Sequence, residues 1–98
     1  MSQQVREVDP TELRLLPSRS AGADPWKLHR QIRQFGASKV GMPTLLVYED
    51  PAGLLEIFDG VTRATRIATL APGVTVPVTI IGRFRNSRES SQQLGETL

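Results

Sequence analysis

The chain has 98 residues, of which 39% are hydrophobic and 22% charged, and its net charge of +2 is too small to indicate nucleic-acid binding by itself. This length suits one small domain with a single modest core, and the absence of cysteine excludes disulfides, thiolate chemistry and zinc–thiolate sites. No apolar run is long enough to cross a membrane and the N-terminus lacks the apolar stretch of a secretory signal, so we expect a cytoplasmic, bacterial-type protein without a membrane partner.

The N-terminal part of the chain predicts a short strand, a capped turn and a loop. The strand covers residues 4–8. Asp9 followed by Pro10 is typical of an N-cap and a first helical position. The small and polar composition of residues 16–24 then predicts a loop.

The next element is a helix with Asp24 as its N-cap and Gly36 at its end. Leu28, Ile32 and Phe35 recur at helical spacing, so we expect them to form a stripe in the core. The other side carries Trp26, His29, Arg30 and Arg33, and we expect water to cover it.

The second half predicts a hairpin, a second helix and a last strand. We place a loop at 36–43, antiparallel strands at 44–48 and 54–58, a helix at about 62–70 and a strand at 76–81. We expect the side formed by Ala64, Ile67, Ala68 and Ala71 to be the buried side of the second helix. The fold class is therefore α+β, a small mixed β-sheet with two principal helices. A single domain covers residues 1–85, and residues 86–98 have too little apolar surface to fold alone and form a flexible tail.

The segment DGVTR at residues 59–63 is the main functional signal. A helix start presents unpaired N–H groups and the positive end of the helix dipole, and Gly60 permits a positive φ and a close approach of a ligand. Thr62 can cap the helix or donate its hydroxyl to an anion. The guanidinium of Arg63 emerges at the helix start, and Arg66 lies on the same flank. Both are candidate phosphate ligands, together with Gly60, Val61 and Thr62 of the turn. The alternative is that Arg63 pairs with an acidic neighbour and only pins the turn.

The run DGVTRATRIATLAPGVTVPV closely resembles the ParB/sulfiredoxin superfamily, whose members combine a DGxxR-type turn with a Val-Pro-Val strand. The resemblance covers about residues 5–81, and it implies that Gly60 and Arg63 bind the phosphates of a nucleotide or of a nucleic-acid backbone. Val61 stands where sulfiredoxins carry their cysteine, which excludes reduction of a cysteine sulfinic acid. Val61 and Thr62 also replace the paired histidines or the Glu-Arg pair of other members, so some phosphate contacts or a proton-transfer group are lost.

The same resemblance places the loop before the hairpin close to the DGxxR turn, so Ser38 and Lys39 are expected to complete the anion site. A triphosphate usually needs Mg²⁺ held by a carboxylate. Asp59 is the first candidate for metal binding and catalysis, and Glu56 is the second candidate metal ligand. Asp59 is equally well placed to cap the turn or to pair with the arginine.

Three functions are compatible with this pattern. The first is a nucleotide- or phosphate-binding domain that transfers phosphate or hydrolyses a nucleoside triphosphate. The second is a ParB-like, metal-dependent nuclease acting on DNA or RNA. The third is a non-catalytic interaction module with a decayed pocket. The expected partners are a phosphate-bearing ligand and, in the second case, nucleic acid.

Overall fold

The computed structural model describes residues 4–19, 21–86 and 91–98, and it confirms an α+β fold with a five-stranded mixed sheet and two helices. Three single 3₁₀ turns, Pro10–Glu12, Pro17–Arg19 and Leu94–Thr97, accompany them. Neither α-helix in the described residues has the length and apolar character needed to span a membrane. The elements in chain order are β1 Gln4–Val8, β2 Arg14–Leu15, α1 Pro25–Phe35, β3 Leu45–Glu49, β4 Leu55–Asp59, α2 Val61–Leu70 and β5 Val76–Arg83.

The sheet has the spatial order β1-β5-β3-β4-β2. The hairpin of β3 and β4 is antiparallel, as predicted, and β5 is parallel to β3 and antiparallel to β1. The hairpin turn forms because the Asp50 carboxylate accepts hydrogen bonds from the amides of Ala52 and Leu54. The register of β4 shifts by one residue near its end, between the pairs Val47–Ile57 and Leu46–Asp59. The bulge lies directly before the turn that leads into α2.

The core lies between the sheet and α2. The predicted buried side of α2 is confirmed for Ala64, Ile67 and Ala68, which are buried, and Ala71 packs against the core from its edge. The other buried apolar residues come mainly from the strands: Leu15, Leu45, Val47, Leu55, Ile57, Val76, Val78 and Ile80.

The predicted core stripe of α1 is wrong. None of the residues of α1 is buried, and the side chain of Phe35 is 45% exposed. The physical reason is that α1 packs against α2, which itself covers the sheet, so α1 forms an outer layer. Leu28 and Ile32 are therefore only partly covered, and Phe35 at the end of the helix is left at the surface.

Residues 91–98 pack against the domain in the structure, whereas the sequence predicts a flexible tail over residues 86–98; residues 87–90 lie outside the described part of the chain. The amide of Leu15 donates to the carbonyl of Gln92 at 2.8 Å, and the amide of Leu94 donates to the carbonyl of Leu13 at 2.7 Å. The side chain of Leu94 is 0% exposed and belongs to the core. One leucine is enough here because it enters a core that the rest of the domain has already formed.

Candidate functional site

The start of α2 has the backbone geometry that the sequence predicts. Gly60 has φ = +116° and is the N-cap, and no side chain among the described residues caps the helix. The first intrahelical bond runs from the amide of Ala64 to the carbonyl of Gly60, so the amides before it have no partner within the helix. Of the two roles open to Thr62, the structure excludes capping, because α2 already begins at Val61. Donation of its hydroxyl to an anion stays a prediction.

Gly60 has a packing role that the sequence does not reveal, because a side chain at this position would collide with its neighbours. A Cβ atom at Gly60 would lie 2.7 Å from Cγ of Leu45 and 3.0 Å from Nη2 of Arg63. The groups that lie close to the Gly60 backbone are therefore the side chains of Leu45 and Arg63, where the sequence predicts a ligand. Gly60 makes room for the guanidinium that the sequence identifies as the main anion ligand.

Arg63 lies beside this turn with weak contacts. Its side chain is 20% exposed, and its Nη2 is 3.7 Å from Oδ2 of Asp59 and 3.4 Å from the carbonyl oxygen of Thr44. Both distances exceed those of a normal hydrogen bond, and an ion pair to a largely exposed carboxylate contributes little. Nε of Arg63 is buried and has no hydrogen-bond partner among the described residues. The predicted pairing with Asp59 is thus present but long.

Arg66 is buried and its Nη1 donates to two backbone carbonyls, so the structure gives it a role in the fold, and its role as a phosphate ligand stays a prediction. Its Nη1 donates to the carbonyl of Gly36 at 2.7 Å and to the carbonyl of Ser38 at 2.8 Å, and burial lowers the pKa of Arg66. The longer contacts of its guanidinium group are with Gln31 Oε1, Met42 Sδ and the ring of Phe35. Arg66 ties the loop after α1 to α2.

The loop at residues 36–44 lies near the start of α2, but Ser38 and Lys39 do not present their side chains as an anion site. The ammonium group of Lys39 donates to the carbonyl of Thr75 at 2.6 Å and lies 3.9 Å from a carboxylate oxygen of Glu7. The hydroxyl of Ser38 accepts from the amide of Val40. Both side chains therefore contact backbone groups of the protein: Lys39 donates to a carbonyl just before β5, and Ser38 accepts from an amide of its own loop.

Arg63 and Arg66 line a cleft of about 180 Å³, which we call the arginine cleft. Its other lining residues are Gln31 and Phe35 from α1 and residues 40–43 from the loop. Among the residues that the structure describes, no Asp or Glu lines this cleft. The arrangement combines a guanidinium with apolar walls, as in sites that bind a ligand with one charged and one apolar end.

Val61 and Thr62 open onto a different cleft, of about 290 Å³, which we call the helix-start cleft. Its facing wall includes Asp24 and Lys27 at the beginning of α1, and Asp24 is occupied there because it accepts from the amides of Trp26 and Lys27. The predicted phosphate ligands are therefore divided between two sides of the first turn of α2. Sequence reasoning missed Lys27, because nothing local indicates that the two helix starts lie side by side.

The two candidate metal ligands differ in environment. The side chain of Asp59 is largely exposed beside Arg63, whereas Glu56 is buried within the sheet. Within residues 4–19, 21–86 and 91–98, no group of three or more His, Asp or Glu side chains is arranged to hold a metal ion. A metal or catalytic role for Asp59 and Glu56 stays a prediction.

No protein-family model matches the chain, and neither does any curated protein sequence.

The substitution Arg66→Lys tests whether Arg66 holds the loop after α1 in place through its bonds to the carbonyls of Gly36 and Ser38. A lysine keeps the charge but cannot reproduce the planar fork that reaches two carbonyls. A hydrogen bond from a charged group contributes about 1.5–3 kcal/mol, so we expect the amides of Ser38, Val40 and Met42 to exchange their hydrogens roughly tenfold faster or more, as measured by NMR. The exposed Arg33→Lys is the matched control. Unchanged exchange in the loop of Arg66→Lys would contradict the assignment.

Proposed function

We propose that this protein binds a phosphate-bearing ligand, such as a nucleotide, in the arginine cleft, with Arg63 as the principal anion ligand. The proposal rests on the weak contacts of the Arg63 guanidinium, which lines the cleft. Its Nη2 makes only long contacts, and its Nε has no hydrogen-bond partner among the described residues. An unsatisfied buried donor costs about 1–3 kcal/mol. Because its present contacts are weak, the side chain loses little when it turns toward an anion.

Phosphate is the anion that this group suits best. A guanidinium presents parallel N–H donors that match two phosphate oxygens, and such bonds are about twice as strong as those between neutral groups. The free amides at the start of α2 add a positive potential on the same turn. The resemblance of the DGVTR segment to the ParB/sulfiredoxin motif supports the same choice, because Gly60 and Arg63 occupy the positions of its glycine and arginine.

Chemistry on the bound phosphate would require a metal ion and a carboxylate to hold it. Phosphate transfer or triphosphate hydrolysis would use Mg²⁺ on Asp59, with Glu56 as the second candidate ligand. A nuclease would use the same anion site and the same carboxylates on a phosphodiester. Metal-dependent cleavage of plasmid DNA would distinguish the nuclease, and Asp59→Asn should abolish either activity.

Binding is tested by thermal-shift titration of the wild-type chain with ATP, CTP, GTP and inorganic phosphate, with and without Mg²⁺. A ligand at about 100 times its Kd stabilises the native state by about 2.7 kcal/mol, which for a domain of this size raises the Tm by roughly 10 °C or more. We expect Arg63→Ala to lose this rise.

The matched control is Arg33→Ala, which removes an exposed arginine of α1 that does not line the arginine cleft. It should keep the full rise in Tm. Equal stabilisation of wild type and Arg63→Ala would contradict the proposal. If no phosphate-bearing ligand or DNA binds the intact fold, the non-catalytic interaction module becomes the better interpretation.

A further inference from the structure

Phe35 lines the arginine cleft and is partly exposed to solvent. Its position in the apolar stripe of α1 predicts that it is buried. Its ring is 45% exposed, and it lies at the last position of α1. The guanidinium carbon of Arg66 lies 5.4 Å from the centre of the ring, within the range of a cation–π contact. Arg66 also donates to two carbonyls of the loop after α1. One residue therefore contacts both the ring and the loop that lines the same cleft.

The loop that shares the cleft with Phe35 also contributes apolar side chains. Val40, Met42 and Pro43 line the cleft, and Val40 is exposed whereas Met42 is partly buried against the core. Apolar side chains that line one cleft gain free energy when a flat apolar group enters and removes them from water. A ligand that carried only a phosphate would leave these side chains in water.

The arginines that line the cleft favour a ligand with a single phosphate. Of the two arginines that line it, Arg66 donates to two carbonyls, which leaves Arg63 for an anion. The cavity volume of about 180 Å³ is below the roughly 300–1,000 Å³ of sites that enclose a drug-sized ligand. One ring and one phosphate match this space and this charge better than a polyphosphate does.

We infer that the arginine cleft binds a ligand that joins one flat aromatic ring to one phosphate group, with the phosphate on Arg63 and the ring between Phe35 and residues 40–43. The inference rests on the proposed function and deepens it by stating the shape and charge of the ligand. Two kinds of compound share this chemistry, the nucleoside monophosphates and phosphorylated tyrosine.

The test compares the affinities of six compounds for the full chain by NMR titration. AMP and O-phosphotyrosine carry a ring and one phosphate, ribose 5-phosphate and inorganic phosphate carry the phosphate alone, adenosine carries the ring alone, and ATP carries three phosphates. Stacking of a base on an aromatic side chain makes binding about tenfold tighter or more, so we expect AMP, O-phosphotyrosine or both to bind at least tenfold tighter than ribose 5-phosphate. ATP should gain nothing over AMP, with or without Mg²⁺.

Two variants test whether the aromatic ring of the ligand packs against Phe35. Phe35→Leu should weaken binding of the ring-bearing phosphate about tenfold and leave inorganic phosphate unchanged. Phe58→Leu is the matched control, because Phe58 is 46% exposed but does not line the arginine cleft. It should bind like the wild type.

The outcomes separate the inference from the proposed function. If inorganic phosphate, ribose 5-phosphate, AMP and O-phosphotyrosine bind equally well and all depend on Arg63, the inference is overturned and the proposed function stands. If no phosphate compound binds, both fail. If adenosine binds as tightly as AMP, or ATP binds at least tenfold more tightly than AMP, the assignment of one ring and one phosphate is overturned.

Discussion

Replacing Gly60 with alanine is expected to lower the free energy of unfolding by about 2–6 kcal/mol. A backbone at φ = +116° is strained for any residue with a Cβ atom, at a cost of about 1–3 kcal/mol. The new methyl group would also lie 2.7 Å from Cγ of Leu45, which is buried in the core and cannot move freely. Overpacking of this kind costs a further 1–3 kcal/mol or so.

Urea denaturation measures this effect, and Gly53→Ala separates its two parts. Gly53 also has a positive φ, of +87°, but a Cβ atom built there meets nothing within 4 Å. The control should therefore lose only the strain contribution of about 1–3 kcal/mol. If Gly60→Ala is no less stable than Gly53→Ala, the contacts with Leu45 and Arg63 do not constrain the turn.

The elements that follow from local signals could be predicted from the sequence. Asp24 before a proline marks the start of α1, and Asp50 followed by a glycine-containing turn marks the hairpin. The positive φ of Gly60 was predictable for the same reason. Each of these depends on hydrogen bonds or dihedral angles within about four residues, so no knowledge of the rest of the chain is needed.

The roles of the two arginines of α2 could not be separated in this way. Arg63 and Arg66 are three residues apart and share a flank of the helix, so the sequence predicts the same role for both. They differ in the structure because the carbonyls of Gly36 and Ser38 reach Arg66, while Arg63 meets only distant acceptors. This difference depends on the path of a loop some thirty residues earlier in the chain. The periodicity of a helix contains no information about that path.

The outer position of α1 has a similar origin and bears directly on the candidate site. Periodicity correctly identifies which side of α1 faces the protein, but it does not tell whether that side meets a sheet or another helix. Because α1 lies on α2, its last residue, Phe35, remains at the surface. Because the sequence predicts that Phe35 is buried, it does not predict that Phe35 lines the arginine cleft.

The second large effect is expected for Leu94→Ala, which should lower the free energy of unfolding by about 2–5 kcal/mol. The side chain of Leu94 is fully buried in the cluster that contains Leu13 and Leu15, so its removal leaves a cavity in the core. The amide of Leu94 also donates to the carbonyl of Leu13. Urea denaturation gives the stability, and NMR hydrogen exchange at the amides of Leu15 and Leu94 shows whether the C-terminal segment detaches.

Leu98→Ala is the control, because Leu98 is the same residue type in the same segment but is exposed. Its effect should stay within about 0.5 kcal/mol. A flexible tail predicts the opposite pattern, in which neither substitution changes stability and the amide of Leu94 exchanges at the rate of an open chain. Since the short strand β2 borders this segment, destabilisation by Leu94→Ala alone would mean that the C-terminal residues complete the edge of the sheet.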